Sequence, residues 1–312
     1  MLSSPHLSSR LARALLTFTA EPADPVMGAL LRIAGDPLQV LTWIDAGVVP
    51  ATVARKLGQA DWTLGGALSR WHTQLRGAPD ATAIARYERD GIRLLCPGDT
   101  EWPDALSDLG DAAPYALWVR GHQHLATAAV RSVAITGSRA ATAYGTHVAG
   151  QLATGLAGQG WTIVSGAAYG IDAAAHRGAL IAPEPGPTIA VMAGGVNRDY
   201  PAGHRELLEQ IAGYGLVISD SPPGRVVNRT RFLARNRIIA ALTCGTVIVE
   251  AGIRGGAMST AEHAARLGRP LMAVPGPVTS AQSSGCHELI RTRRAACVTD
   301  ASQITETVHS HQ

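Results

Sequence analysis

Apolar positions fall into two textures along the chain. Up to about residue 75 they recur at helical spacing in short segments broken by Pro and Gly, which predicts helices at 11–18, 25–34, 37–46, 51–57 and 66–76. Helices this short keep their shape only by burying their stripes against one another, so a compact helical unit is expected. Two short apolar runs, 92–96 and 116–120, lie among Pro97-Gly98, Trp102-Pro103 and Pro114 and read as strands joining two units. From residue 131 a regular alternation begins. Strand-length apolar runs at 133–136, 162–165, 188–192, 216–219, 246–249, 271–274 and 296–298 alternate with helical patterns such as 144–159, 171–181, 204–212 and 258–267. Near-continuous apolar strands between helices imply an α/β fold with a doubly wound, mostly parallel sheet covered on both faces. Ligands of such sheets bind outside the carboxyl ends of the strands, so the residues just after each strand are where function is sought.

Composition narrows the class. The 312 residues are 46% hydrophobic and 16% charged, enough apolar material for a large core and too much for a disordered chain. Arg10 and Arg13 interrupt the first apolar segment, and no run reaches the roughly 18 residues that span a bilayer. A cytoplasmic protein without a membrane role is expected. Cys96, Cys244, Cys286 and Cys297 form no CxxC pair, which speaks against a zinc ribbon or a redox dithiol and suits a reducing compartment. Cys244 and Cys297, beside apolar runs, are expected to be small buried hydrophobes. The formal charge is only +3, from 27 basic and 24 acidic residues, and by itself announces no nucleic-acid partner.

Position changes that picture. The first strand of the alternation runs into Gly137-Ser138-Arg139: a glycine for a tight turn, a hydroxyl able to donate to a phosphate oxygen, and a fork-shaped cation beside a helix start. The second runs into Ser165-Gly166-Ala167-Ala168-Tyr169-Gly170, a Gly-lined floor at the next helix start. Neither turn is GxGxxG and no acidic residue follows as a ribose ligand, so no dinucleotide cofactor is expected. Beyond the fourth strand, Arg225, Arg229, Arg231, Arg235 and Arg237 occur with no acidic residue among them and enclose Phe232, one of only two Phe in the chain. Interleaved cations and an aromatic suit single-stranded nucleic acid, with phosphates tracked by Arg and an unpaired base stacked on a ring. Asn236 adds the donor-acceptor pair that a base edge requires. Phe232 serves equally well as a core anchor of the next helix, and both readings stand on the sequence. Arg291, Arg293 and Arg294 are expected to complement a helix C-terminus.

Catalytic patterns are thin. There is no GxSxG, HExxH or Walker A motif, and Lys56, the only lysine, lies in the helical part. Asp172 and His176, four apart, read as an ordinary helical contact ahead of an acid-base pair. The balance favours binding over turnover, with no metal and no cofactor. The alternative is a Rossmann-like enzyme that binds nucleotides or hydrolyses nucleoside monophosphates, although EAGIRGG does not reproduce the PGGxGTxxE turn of that class.

The segments VAITGSRAATAYG, VSGAAYGIDAAAH, IAVMAGGVNRDYPAGH, SPPG, FLARNRIIAAL, EAGIRGGAMSTAEHA and AVPGPV…SSGCHELI, in this order, resemble the DNA-processing protein A (DprA/Smf) family over about 92–300. The resemblance implies a small helical SAM-like domain at 1–80, an extended Rossmann-like domain at 81–312, and no winged-helix domain after it. It also implies a homodimer that binds single-stranded DNA, protects incoming strands and loads RecA recombinase during natural transformation. Carried over, Arg139, Phe232, Arg235, Asn236 and Arg237 would line the DNA pocket with Gly137, Ser138 and Arg229, over a floor at Gly166. Four places depart from the family pattern. Ala167 replaces a frequent Gly, Gly255 a frequent Ser and Asp220 a Glu, and Arg291–Arg294 stand in place of a Gly-containing turn.

Overall fold

The computed structural model describes residues 8–58, 61–182 and 187–311, with the backbone alone at 61–63. Residues 1–7, at the start of the segment read for a targeting signal, lie outside this range. The helical unit follows its punctuation closely. Asp24 caps the helix Pro25–Ala34 by accepting from the Val26 and Met27 amides, and Asp36 caps Pro37–Ala46 through Leu38. Proline at the first position costs no hydrogen bond there, and Gly35 and Gly47 end both helices. The last helix of the set runs Asp61–Arg76, one turn longer than its apolar pattern indicated, and a further helix, Ala81–Arg89, went unread.

The strands are β1 (Ile92–Leu95), β2 (Leu117–Arg120), β3 (Ser132–Thr136), β4 (Thr162–Ser165), β5 (Thr188–Val191), β6 (Leu216–Ser219), β7 (Gly245–Ile248), β8 (Leu271–Ala273) and β9 (Ala296–Cys297). They form one sheet in the order β1-β2-β6-β5-β4-β3-β7-β8-β9, parallel from β6 to β9. The α/β, Rossmann-like, doubly wound layout is therefore as expected. β1 and β2, read as a joining segment, extend the sheet as an antiparallel edge, with Trp118, Val119 and Arg120 opposite Ser219, Ile218 and Val217. The chain winds outward from β3 through β4 to β6, then returns to β7 on the other side of β3. The crevice between the carboxyl ends of β3 and β7 is thus the topological switch point.

Both faces are covered. The helices Ala143–Ala157 and Ile171–Leu180 pack Leu152, Leu156 and Ile171 on one face, and Ile238 and Ile239 of the helix Asn236–Leu242 cover the other. The core of the helical unit is continuous with that of the sheet. Phe18 and Tyr87 approach the buried Trp118 of β2 edge-on at 6.1 and 5.7 Å, and the Trp118 indole donates to Thr17. Cys96 and Cys286 are buried, and burial pushes both thiols up to about 11, whereas Cys297 is exposed because β9 is the sheet's edge. The reading of Cys297 as a buried hydrophobe fails for that reason. No helix among the described residues is long and apolar enough to cross a membrane.

Candidate nucleic-acid interface

Three strand-to-helix turns are knitted together at the switch point. The Ser138 amide donates to the Glu250 carbonyl beyond β7 at 2.7 Å, and the Ser138 carbonyl accepts from the Ile171 amide at 3.1 Å. Gly170, at φ 77°, lies so close to the Ser138 and Arg139 carbonyls that any Cβ would collide with them. The Ser138 hydroxyl oxygen accepts from the Ala140 amide at 3.2 Å, which leaves its proton free to donate outward. The helix start behind this turn is already occupied. Glu250 accepts from the Thr142 amide and hydroxyl at 2.9 and 2.6 Å, so the anion at that N-terminus is the protein's own carboxylate. An external phosphate is instead offered the Ser138 hydroxyl and the Arg139 side chain.

Above these turns lies a cleft of about 940 Å³, lined among others by Arg139, Tyr200, Asn228, Arg229, Phe232 and Arg254. Arg139, Arg229 and Arg254 are exposed, and none makes a hydrogen bond or ion pair with its side chain among the described residues. The Arg139 and Arg235 guanidiniums stand 3.8 and 4.5 Å from the centroid of the half-buried Phe232 ring. A ring held by cations on the wall of a positively charged cleft can stack an unpaired base while free arginines neutralise the flanking phosphates.

The arginine run divides into two classes. Arg229 faces the cleft, but the other four arginines hold the protein together. Arg235 is 2% exposed: it donates to the Gly166 carbonyl at 2.6 Å, to the Val191 carbonyl, and through Nε to Asn236 at 2.8 Å, and it lies 3.7 Å from the buried Asp172. Burial pulls its guanidinium down to about 10, so it stays charged at neutral pH. It forms part of the cleft wall under Phe232. Arg237 is buried away from the cleft, with donors to Asp220 at 2.6 Å, to the Ala112 carbonyl at 2.6 Å and to the Ala234 carbonyl at 2.8 Å. Arg231 grips Glu21 at 2.6 and 2.8 Å, and Arg225 donates to the Phe18 carbonyl at 2.9 Å.

Two further expected site residues serve the same internal framework. Gly166 does not line the cleft. The Arg235 guanidinium packs flat where its Cβ would be, so the floor fits an arginine of the protein and no ligand backbone. The Asn236 amide is satisfied on both sides, accepting from Arg235 and donating to the Gly256 carbonyl at 3.3 Å. Arg237 and Gly166 therefore lie outside the cleft lining, whereas Asn236, although mostly buried, lines the cleft beside Arg235. Gly137, Ser138, Arg139, Arg229 and Phe232 do come together at the cleft. Arg254 is a cleft residue that the site expectation leaves out; its signal in the sequence is a lone cation between Gly252 and Gly255-Gly256 just beyond β7. Thr260, also in the lining, has a buried hydroxyl without a partner.

Asp172 and His176 do not meet. Asp172 accepts from the Thr136 hydroxyl at 2.8 Å, and the His176 Nδ1 lies 2.8 Å from the Thr188 hydroxyl. Burial first, then nearby Arg235, pulls the imidazole down to about 3. Among the described residues no group of His, Cys, Asp and Glu is arranged to hold a metal ion.

Residues 93–309 match the model of the DNA recombination-mediator protein A family. A putative DNA processing protein DprA of Mycobacterium tuberculosis is 43% identical over 309 residues, covering 95% of this chain and 74% of the relative. The X-ray structure of DNA processing protein A from Streptococcus pneumoniae superposes with a TM-score of 0.76 at 28% identity, covering 96% of this chain and 97% of that one. A Helicobacter pylori DNA processing protein A, whose structure was described for its single-stranded DNA binding mode, gives 0.62 at 29% identity over 70% of this chain and 96% of its own.

Proposed function

Since the chain belongs to the DNA recombination-mediator protein A family, the one its motifs resemble, we propose that the cleft at the β3–β7 switch point binds single-stranded DNA in the service of recombination. The observation that carries this reading is the Phe232 ring, flanked by Arg139 and Arg235 and bordered by the exposed Arg229 and Arg254. Bases stack on the ring, phosphates meet the exposed arginines and the Ser138 hydroxyl, and no base-specific contact is required, so binding tolerates any sequence. Duplex DNA hides its base faces and gains nothing from the ring.

The same proposal includes the finer role that the resemblance implies: a cytoplasmic homodimer that shields incoming strands and delivers them to the RecA recombinase. It also includes a division into a helical unit at 1–80 and a sheet unit at 81–312. The test is a titration of labelled single-stranded and duplex oligonucleotides against the full chain, with mass measurement of the free protein. Tight, salt-sensitive binding confined to single strands is expected. Equal affinity for duplex, or turnover of nucleoside monophosphates, would overturn the reading.

A further inference from the structure

The helix Arg229–Ala234 carries three cleft residues, Arg229, Phe232 and Leu233, yet none of its six residues is buried. Apolar packing therefore does little to orient it, and its bearing depends on polar contacts. Arg231, which is not part of the cleft lining, provides the farthest-reaching of these. Its Nη1 donates to the Val226 carbonyl at 2.7 Å, and its Nε and Nη2 donate to the two carboxylate oxygens of Glu21 at 2.8 and 2.6 Å. Such a fork-on-fork pair fixes direction as well as distance. Glu21 belongs to the helical unit and is itself held. Its carbonyl accepts from the buried Tyr115 hydroxyl at 3.0 Å and from the Asp24 amide at 3.2 Å, in a turn where Ala23 takes φ 59°. A second tie, from Arg225 to the Phe18 carbonyl, reaches the same unit from the loop just before the helix.

We propose that Glu21 is a positioning residue for single-stranded DNA binding: through Arg231 the helical unit sets the orientation in which Arg229 and Phe232 meet the strand. This rests on the DNA-binding reading of the cleft. Charge gives the two roles of Glu21 opposite signs. As a mere acidic neighbour of a polyanion site it repels DNA, and its neutralisation strengthens binding. As a clamp on the helix it favours binding, and its neutralisation weakens it.

The test uses the full chain and fluorescence anisotropy of a labelled oligothymidine over a salt series, with melting transitions alongside. Glu21→Gln is expected to weaken binding about fivefold, the scale of a partly exposed ion pair, while keeping the slope of log affinity against log salt. Arg231→Gln weakens it to the same degree, the two together weaken it no further, and the reversed pair Glu21→Arg with Arg231→Glu regains most of the affinity. Unchanged or tighter binding by Glu21→Gln overturns the proposal. If that variant fails to fold, the reversed pair decides: folded and tight supports the clamp, folded and weak overturns it. Failure of the DNA reading shows separately, as an Arg229→Ala variant that binds oligothymidine like the wild type, and the positioning role then falls with it.

Discussion

The Arg139 guanidinium lies 3.8 Å from the centroid of the Phe232 ring, although the two residues come from different turns at opposite sides of the cleft's sequence. Arg139 follows β3 and Phe232 follows the loop beyond β6, so their meeting is a property of the winding around the switch point. A cation that already shares a ring with its neighbour holds that ring at the cleft wall and stays available to a phosphate.

Phe232→Ala should therefore cost about 1–3 kcal/mol of single-strand affinity, the scale of one stacked base. The ring is only half-buried, so the fold should persist. Anisotropy with oligothymidine and far-UV circular dichroism check the two halves of this expectation, and Phe232→Trp should retain binding.

Arg139→Ala, Arg229→Ala and Arg254→Ala should each flatten the salt dependence. A cation that neutralises one phosphate of a single strand contributes about 0.7 to the slope of log affinity against log salt. A variant that lowers affinity with no change in slope would show that its arginine acts on something other than a phosphate.

Arg237→Ala should behave as a stability mutant. Its partner Asp220 is almost fully buried, and stripping one member from such a pair leaves an uncompensated charge at a cost of about 3–5 kcal/mol. Thermal or urea unfolding should show that loss, while the fraction that remains folded binds DNA with near wild-type affinity. Gly166→Ala should be destabilising for a related reason, since its methyl would displace the Arg235 guanidinium from its seat.

His176 gives the protein an acid-sensitive core. In the unfolded chain its imidazole takes up a proton near pH 6.5, whereas in the folded one burial delays this to about 3. Between those values the unfolded state binds more protons, so stability falls as pH is lowered through that window and is fully present above it. The loss at pH 4 is on the order of 3 kcal/mol. Urea unfolding across pH 7 to 4 measures it, and His176→Gln should remove this part of the pH dependence.

Most elements were legible because their signals are local. Helix 25–34 declares itself by Asp24-Pro25 in front and Gly35 behind, and β4 and β6 by unbroken apolar runs, since capping and alternation act within a few residues. The turn Gly137-Ser138-Arg139 was legible for the same reason, as was Phe232 amid its arginines. The helix Ala81–Arg89 escapes such reading because its apolar face is short, with Ile84 buried and Tyr87 packed one turn on.

The arginine run marks where such reading ends. Composition and spacing establish a basic segment at the ligand edge of a parallel sheet, because strand alternation and turn residues are encoded side by side. Which of those arginines meets solvent depends on carboxylates and carbonyls that sequence distance hides. Asp220 lies 17 residues from Arg237, the Gly166 carbonyl 69 from Arg235, and Glu21 210 from Arg231. Five cations look alike along the chain. Folding buries or pairs four of them and leaves Arg229 at the cleft, because a guanidinium drawn into low-dielectric surroundings must find acceptors there, and only the tertiary arrangement supplies them.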